Sequence, residues 1–254
     1  MMSAGVTIEK ADGILSIRFS RPDKKNAITS AMYLAMAEAL LSIDNSVRAV
    51  LFSGEGDSFS AGNDLKDFLA APPLDDTHPT LRFIRALPKV PVPMLAAVQG
   101  SAVGIGTTLL LHCDLVIAAT NAVFALPFTK LGLVPEAGSS LLLPQLMGYQ
   151  RAAAMLLLGE PIAAAQAERF GLVTQLVEPD KLEEATKAVL AKLRALPAAS
   201  LRATKALMKI HVSRTSARID EELAVFKERL VSPELKEAAT AFLEKRAPDF
   251  SKFS

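Results

Sequence analysis

Apolar and polar residues alternate from Val6 to Lys10 and from Ile14 to Phe19 on either side of Asp12-Gly13, a pattern that predicts two strands joined by a hairpin. Beyond the loop from Arg21 to Ala27, Thr29 or Ser30 can cap a helix. Its apolar positions Met32, Leu34, Met36, Leu40 and Leu41 recur at roughly helical spacing, and it ends near Asp44-Asn45. Val47 to Phe52 reads as a buried strand; Gly54, Gly56 and Gly62 then mark a loop that runs into a helix starting at Asp64-Leu65-Lys66. Pro72, Pro73 and Pro79 interrupt the next segment, predicting a mobile stretch before a helix near Leu81 that stops at Pro88. Pro93 to Gln99 is a short apolar strand, Gly100 to Gly106 a glycine-bearing turn, Thr107 to His112 a helix and Asp114 to Ala118 another strand. The recurring unit of apolar strand, glycine turn and helix predicts a layered α/β architecture.

From Asp180 onward the strand-like runs stop. Helical patterns occupy Lys181 to Leu196, Ser200 to His211, Ala217 to Leu230 and Pro233 to Arg246, with Pro197 and Pro233 placed where proline can begin a helix. The chain therefore divides into a core over 1–196 and a helical region over 197–254. Leu223, Phe226, Leu230, Leu235, Phe242 and Leu243 exceed the apolar surface a free-standing helix pair would expose, which predicts docking on a neighbouring subunit and a homo-oligomer.

Composition narrows the possibilities. At 254 residues the chain can bury one large core, and with 50% hydrophobic and 22% charged residues it lies far from the signature of disorder. A formal charge of +1 provides no overall field for nucleic acid or an anionic membrane. No apolar run approaches the ~20 residues of a membrane span. The one cysteine, Cys113, permits no internal disulfide. Met1 to Lys10 lacks a basic segment followed by an apolar core, and Lys252-Phe253-Ser254 is not a peroxisomal address, so the expected location is the cytoplasm. His78, His112 and His211 lack metal-ligand spacing, so no metal site is expected.

Three segments could carry chemistry. Phe59-Ser60-Ala61-Gly62-Asn63-Asp64-Leu65 runs from a strand region into a helix start, where unpaired N–H groups can receive an oxyanion; taken alone, a plain turn eased by Gly62 explains it better. Gly100-Ser101-Ala102-Val103-Gly104-Ile105-Gly106 offers a second such amide, and its glycine spacing fits neither the dinucleotide fingerprint nor a phosphate loop. Two of these turns suit a paired oxyanion hole better than either does alone. In Leu131-Gly132-Leu133-Val134-Pro135-Glu136-Ala137-Gly138-Ser139-Ser140, one carboxyl group stands among apolar and small residues. Glu136 is either a desolvated acid/base or the first acid of a helix running to Met147, and its surroundings in sequence favour neither. Cys113 and Ser139-Ser140 give nucleophilic catalysis little support.

In order, Arg21-Pro22 through Asn26-Ala27, Phe59 to Leu65, Ala97 to Asp114, Leu131 to Ser140, Gly171-Leu172-Val173 and Phe242 to Arg246 resemble the crotonase (enoyl-CoA hydratase/isomerase) superfamily over nearly the whole chain. The resemblance implies an α/β fold: a crotonase-like spiral core of ββα units with an all-helical C-terminal trimerisation region, assembling as a homotrimer or a dimer of trimers. It implies an acyl-CoA thioester substrate, with no cofactor beyond the coenzyme A of that substrate. Matching positions place oxyanion donors at the Asn63 and Ile105 amides. They line the acyl-CoA site with Lys24, Asn26, Ala27, Ala61, Gly62, Asp64, Leu65, Gly104 and Gly106, with a neighbour's Lys245 helping to hold phosphates. Two glutamates that handle water in typical hydratases are matched here by Thr108 and Phe128. With its single acid at Glu136, the chain looks most like the monofunctional Δ3,Δ2-enoyl-CoA isomerases. Phe128 and Leu131 would be apolar walls of the acyl pocket. A hydratase, a ring-modifying CoA isomerase of aromatic degradation and a silent CoA-binding subunit are the alternatives.

Overall fold

The computed structural model describes residues 2–3, 5–70, 72, 75–209 and 212–253. Pro73 and His211 lie outside them, as do the side chains of Phe242 and Leu243. Among the described residues, ten strands run β1 (Met2–Ser3), β2 (Val6–Ala11), β3 (Ile14–Phe19), β4 (Ala49–Gly54), β5 (Met94–Val98), β6 (Ser101–Val103), β7 (Leu115–Ala119), β8 (Val123–Ala125), β9 (Ile162–Ala163) and β10 (Gln175–Val177). The helices are α1 (Ser30–Leu41), α2 (Leu65–Ala70), α3 (Pro79–Ala86), α4 (Ile105–Thr108), α5 (Ser139–Met147), α6 (Tyr149–Leu157), α7 (Ala164–Arg169), α8 (Leu182–Ala195), α9 (Ala198–Met208), α10 (Val212–Leu230) and α11 (Pro233–Glu244).

Seven strands form one sheet in the order β1-β2-β3-β4-β5-β7-β10, antiparallel across the β2–β3 hairpin and parallel from β3 onward. Its two faces follow the period of a strand. Val50, Phe52, Met94, Ala96, Val98, Val116 and Ala118 share the main core with Met32, Tyr33 and Met36 of α1 and Phe83 of α3. The alternate residues Leu51, Leu95, Ala97, Ile117 and Ala119 pack under Leu182, Val189 and Leu190 of α8. All of β5 is buried because both faces are covered.

A second, three-stranded sheet, β6-β8-β9, explains how the site is assembled. Successive turns of the chain place one strand in the large sheet, turn a corner and place a shorter stretch in the small one: β5 then β6, and β7 then β8. The preceding turn does likewise, since Ser60, after β4, bridges Ala102 of β6. The residues after these three short stretches lead to Asn63, Ile105 and Glu136. Gly100 to Gly106 is thus not only a turn, as its glycines suggested, because Ser101–Val103 is a strand. The helix placed at Thr107 starts at Ile105 and becomes a tighter 3₁₀ turn over Leu109–His112.

The apolar residues assigned to a neighbouring subunit require a correction. Leu223, Phe226, Leu230 and Leu235 are buried within their own chain. α10 packs on α5 and α3, with the Phe226 ring edge-on to Phe68 at 6.2 Å. Sequence showed their apolar excess but not the surface that the core itself leaves to be covered.

Candidate active site

The two amide-bearing loops are built by close backbone approach. Ile28 uses its N–H and C=O on Gly62 O and Asp64 N, at 2.8 and 2.9 Å, in a parallel bridge to Asn63. That pattern turns the N–H of Asn63 away from Ile28, and it donates to no described group. On the other side, Ser60 N donates to Ser101 O and Val103 N to Ser60 O, both at 2.9 Å. A Cβ on Gly62, at φ 86°, would lie 2.8 Å from the Val103 carbonyl oxygen, so only glycine lets the loops meet this closely. Gly104, at φ 55° and ψ −121°, takes a backbone conformation open to glycine and starts α4. The first N–H of that helix, on Ile105, likewise has no described acceptor.

Lys24, Asn26, Ala27, Ala61, Gly62, Asp64 and Leu65 come together in one patch. Lys24 ends an exposed 3₁₀ turn. Arg21 ties the loops by donating to Ala27 O at 2.7 Å and Asp64 Oδ2 at 3.0 Å, while Ala61 N donates to Lys25 O at 2.8 Å. Asn26 is fully buried: its amide donates to Glu55 O and Ser58 O at 2.8 and 2.7 Å and accepts from Arg21 N at 2.9 Å. Its side chain therefore braces the loop from within rather than lining an acyl-CoA site, as the resemblance implied. Lys245 lies exposed beyond α11, and no hydrogen bond or ion pair joins it to this patch among the described residues. Phe128, buried, and Leu131, half-buried, lie on the loop from β8 towards Glu136, and Gly106 follows Ile105 in α4.

Glu136 is buried at 4% exposure, three residues before α5 begins. One oxygen, Oε1, accepts from Thr108 Oγ at 2.5 Å; the other, Oε2, is buried with no partner. Burial pushes its pKa up to about 8, with Glu222 adding to the rise and the Thr108 hydrogen bond opposing it. Because Thr108 closes the one-turn helix that Ile105 opens, α4 presents a free amide at one end and anchors the carboxyl group at the other. Tyr33 of α1 donates to Asn63 Oδ1 at 2.5 Å. Burial raises its phenol well above the usual range, and the Glu136 charge is the next largest cause. The three chemical segments thus share one neighbourhood.

The turn carrying Glu136 is strained and externally braced. Ala137 and Gly138 are both left-handed, at φ 58° and 75°, a conformation that costs a non-glycine residue about 1–2 kcal/mol. Ser139 Oγ donates to Glu136 O at 2.7 Å. His112, buried, is kept neutral by desolvation and the nearby Lys209 charge, with its pKa down to about 3, so the Nε2 lying 2.7 Å from Ala137 O carries the proton it donates. Glu222 of α10 accepts from Gly138 N and Ser140 N at 2.6 and 2.8 Å. Sequence reasoning gave His112 no such role and missed Tyr33 and Glu222. Gly138 offered a clue, since a helix capped by glycine draws no side-chain oxygen from its cap.

The remaining candidates stand apart. His78 Nδ1 caps α3 by accepting from Thr80 N at 3.3 Å. Burial drives the Cys113 thiol up to about 12. No cluster of three or more potential metal ligands occurs among the described residues, and no described helix is long and apolar enough to cross a membrane.

Residues 9–252 match the sequence profile of the enoyl-CoA hydratase/isomerase family. The chain is 34% identical to 1,2-epoxyphenylacetyl-CoA isomerase of Escherichia coli over 94% of its own length and 95% of the relative's. It is 37% identical to the peroxisomal enoyl-CoA delta isomerase 3 of Mus musculus, over 96% and 80%. Among solved structures, an enoyl-CoA hydratase/isomerase from Pseudoalteromonas atlantica superposes with a TM-score of 0.92 at 38% identity, covering 97% of this chain and all of the other. Pseudomonas aeruginosa OdaA does so at 0.91 and 44%, over 95% and 99%.

Proposed function

Because the chain belongs to the enoyl-CoA hydratase/isomerase family, we propose that it moves the double bond of 3-enoyl-CoA thioesters to the 2-position, with Glu136 as the single acid/base. The observation that carries this reading is the state of that carboxyl group: one oxygen anchored by Thr108, the other buried and unpartnered. Glu222, the other carboxylate at this turn, is occupied by two backbone amides and so is poorly placed to activate water.

In this mechanism Glu136 Oε2 takes a proton from C2 of the bound thioester, and the electrons move into the thioester carbonyl to form a dienolate. The Asn63 and Ile105 amides donate to its oxygen. Glu136 returns the proton at C4, leaving the double bond between C2 and C3. A carboxyl group with its pKa near 8 is well matched to that exchange, because it is neither too weak a base for C2 nor too weak an acid for C4. Phe128 and Leu131 exclude water from the dienolate. The exposed Lys24 meets the phosphates of coenzyme A, and Lys245 does so from a neighbouring subunit of a homotrimer or dimer of trimers. The reaction consumes nothing but the substrate and needs no further cofactor.

Conversion of 3-hexenoyl-CoA should be measured beside hydration of crotonyl-CoA, for the wild type and Glu136→Gln. Isomerisation that collapses in the variant is expected. Robust hydration that survives in it would overturn the assignment, and ring-bearing epoxy-CoA thioesters in the same panel separate the ring-isomerase alternative, to which the E. coli relative's name points.

A further inference from the structure

α5 lacks a side-chain cap. Gly138 stands at its cap position, and while Ser139 N donates to Glu136 O, the Gly138 and Ser140 amides have no acceptor in the helix or its turn. The acceptor comes from 82 to 84 residues further along the chain: the carboxylate of Glu222, 7% exposed, receives Gly138 N–H on one oxygen and Ser140 N–H on the other. α10 is also pressed against this turn, since a Cβ on Gly138 would lie 3.2 Å from Thr215 Cγ2 and 3.5 Å from Ile219 Cγ1. Further along α10, Phe226 meets Phe68 of α2, the helix that follows Asn63. Exposed ion pairs, Arg85 with Asp220 and Lys227 with Asp76, fasten the same helix from outside.

Building on the assignment of Glu136 as the base, we propose that Glu222 is the positioning residue of this site: it caps α5 from a distant helix, fixes the strained Glu136–Ser140 turn, and keeps a negative charge beside the base. Its effect on Glu136 has two separable parts. The two hydrogen bonds set where Oε2 points, and the charge makes Glu136 a stronger base. The other titratable groups near Glu136 are Tyr33, from α1, and His112, one peptide away through Ala137 O and neutral. Burial raises the Glu222 carboxyl above its ordinary range, and its hydrogen bonds from Ser140 and Gly138, with Arg218 on its own helix, oppose that rise and favour the charged form.

The test uses the full-length protein with Glu222→Gln, Glu222→Asp and Glu136→Gln, reading kcat and KM for 3-hexenoyl-CoA isomerisation across pH and the thermal midpoint of each variant. Glu222→Gln nearly keeps the shape, removes the charge and, because its amide nitrogen cannot accept, retains one of the two amide hydrogen bonds. It should move the acidic limb of kcat/KM to lower pH by about 0.5–1 unit. Glu222→Asp keeps the charge and loses reach. It should lower kcat about tenfold or more with KM within about threefold, leaving the limb in place, as expected for a misplaced base. A Glu222→Gln limb at the wild-type pH, with any activity loss tracking the thermal midpoint, would reduce Glu222 to a structural cap and overturn the proposal. So would wild-type kcat in both Glu222 variants. If Glu136→Gln keeps full isomerase activity, the assignment of the base fails first; an inactive Glu136→Gln beside unaffected Glu222 variants defeats only the positioning role of Glu222.

Discussion

The amide loops and the Glu136 turn reach the same site by opposite routes. Asn63 and Ile105 are presented mainly by backbone: short bridges at Ser60 and Ile28, a glycine where the loops touch and another where α4 begins, with Arg21 and Tyr33 bracing the Asn63 loop. Every feature needed to expose those amides lies within a few residues of them or in the adjoining loop. Its neighbours in sequence hold Glu136 by its carbonyl oxygen, through Ser139, but not by its carboxyl group. Its carboxyl group is held by Thr108, the carbonyl after it by His112, and the amides beyond by Glu222. A donor made of backbone can be specified locally, whereas a buried, partly unsatisfied carboxyl group needs partners from several elements to fix its direction and proton affinity.

The sharpest way to break this comparison is at the proposed base, Glu136. Glu136→Gln should lower kcat by about 10²–10⁴, the usual worth of a positioned acid/base, when assayed on 3-hexenoyl-CoA. The same variant should be more thermostable than the wild type at neutral and alkaline pH. The folded pKa of Glu136, about 8, lies above the ordinary 4.5, so the folded state holds a proton that the unfolded state releases. The stability this provides is complete below pH 4.5 and is lost as pH rises towards 8. The advantage of the glutamine should therefore grow across that window, then level off, in melts followed by circular dichroism.

Gly62→Ala attacks the other region. Its Cβ would meet the Val103 carbonyl oxygen at 2.8 Å and force the amide loops apart. Loss of about 10²–10³ in kcat is expected, as for removal of an oxyanion donor, with the acidic limb of the pH profile unmoved. Thr108→Val should act in the contrary manner. With the hydrogen bond that opposes the rise in Glu136 pKa gone, the limb moves to higher pH, and kcat at neutral pH falls about tenfold. A pH shift in Gly62→Ala, or none in Thr108→Val, would erase the distinction between local and remote support. The smallest effect belongs to the entrance: Lys24→Ala should raise KM for the thioester about two- to fivefold at low salt and less at high salt, measured by initial rates.

The same contrast explains which features were legible in the sequence. The hairpin at Asp12-Gly13, the Thr29 cap of α1 and the buried pattern of β5 arise from local chemistry, and all are present. The strands β8, β9 and β10, of two or three residues each, are too short to leave a periodic trace, and β6 was hidden under glycines that read as a turn. Leu34 and Leu41, counted among the apolar positions of α1, are exposed, while Tyr33 and Ala37 are buried, because α3 sets which side of α1 is inside. At the site, the glycines around Asn63 and Ile105 were visible as a pattern. The fate of Glu136 was not, because choosing between a desolvated base and the first acid of a helix requires knowing that Thr108 and Glu222 converge on the turn.

Isotope transfer within the substrate tests the central claim most directly. 3-Hexenoyl-CoA deuterated at both C2 positions should be converted in ordinary water and the product examined for label at C4. If one buried carboxyl group carries the proton from C2 to C4, part of the deuterium appears at C4 at early conversion. If the hydrogen at C4 comes wholly from solvent from the first turnovers, a single shuttling Glu136 in a site closed to water is contradicted.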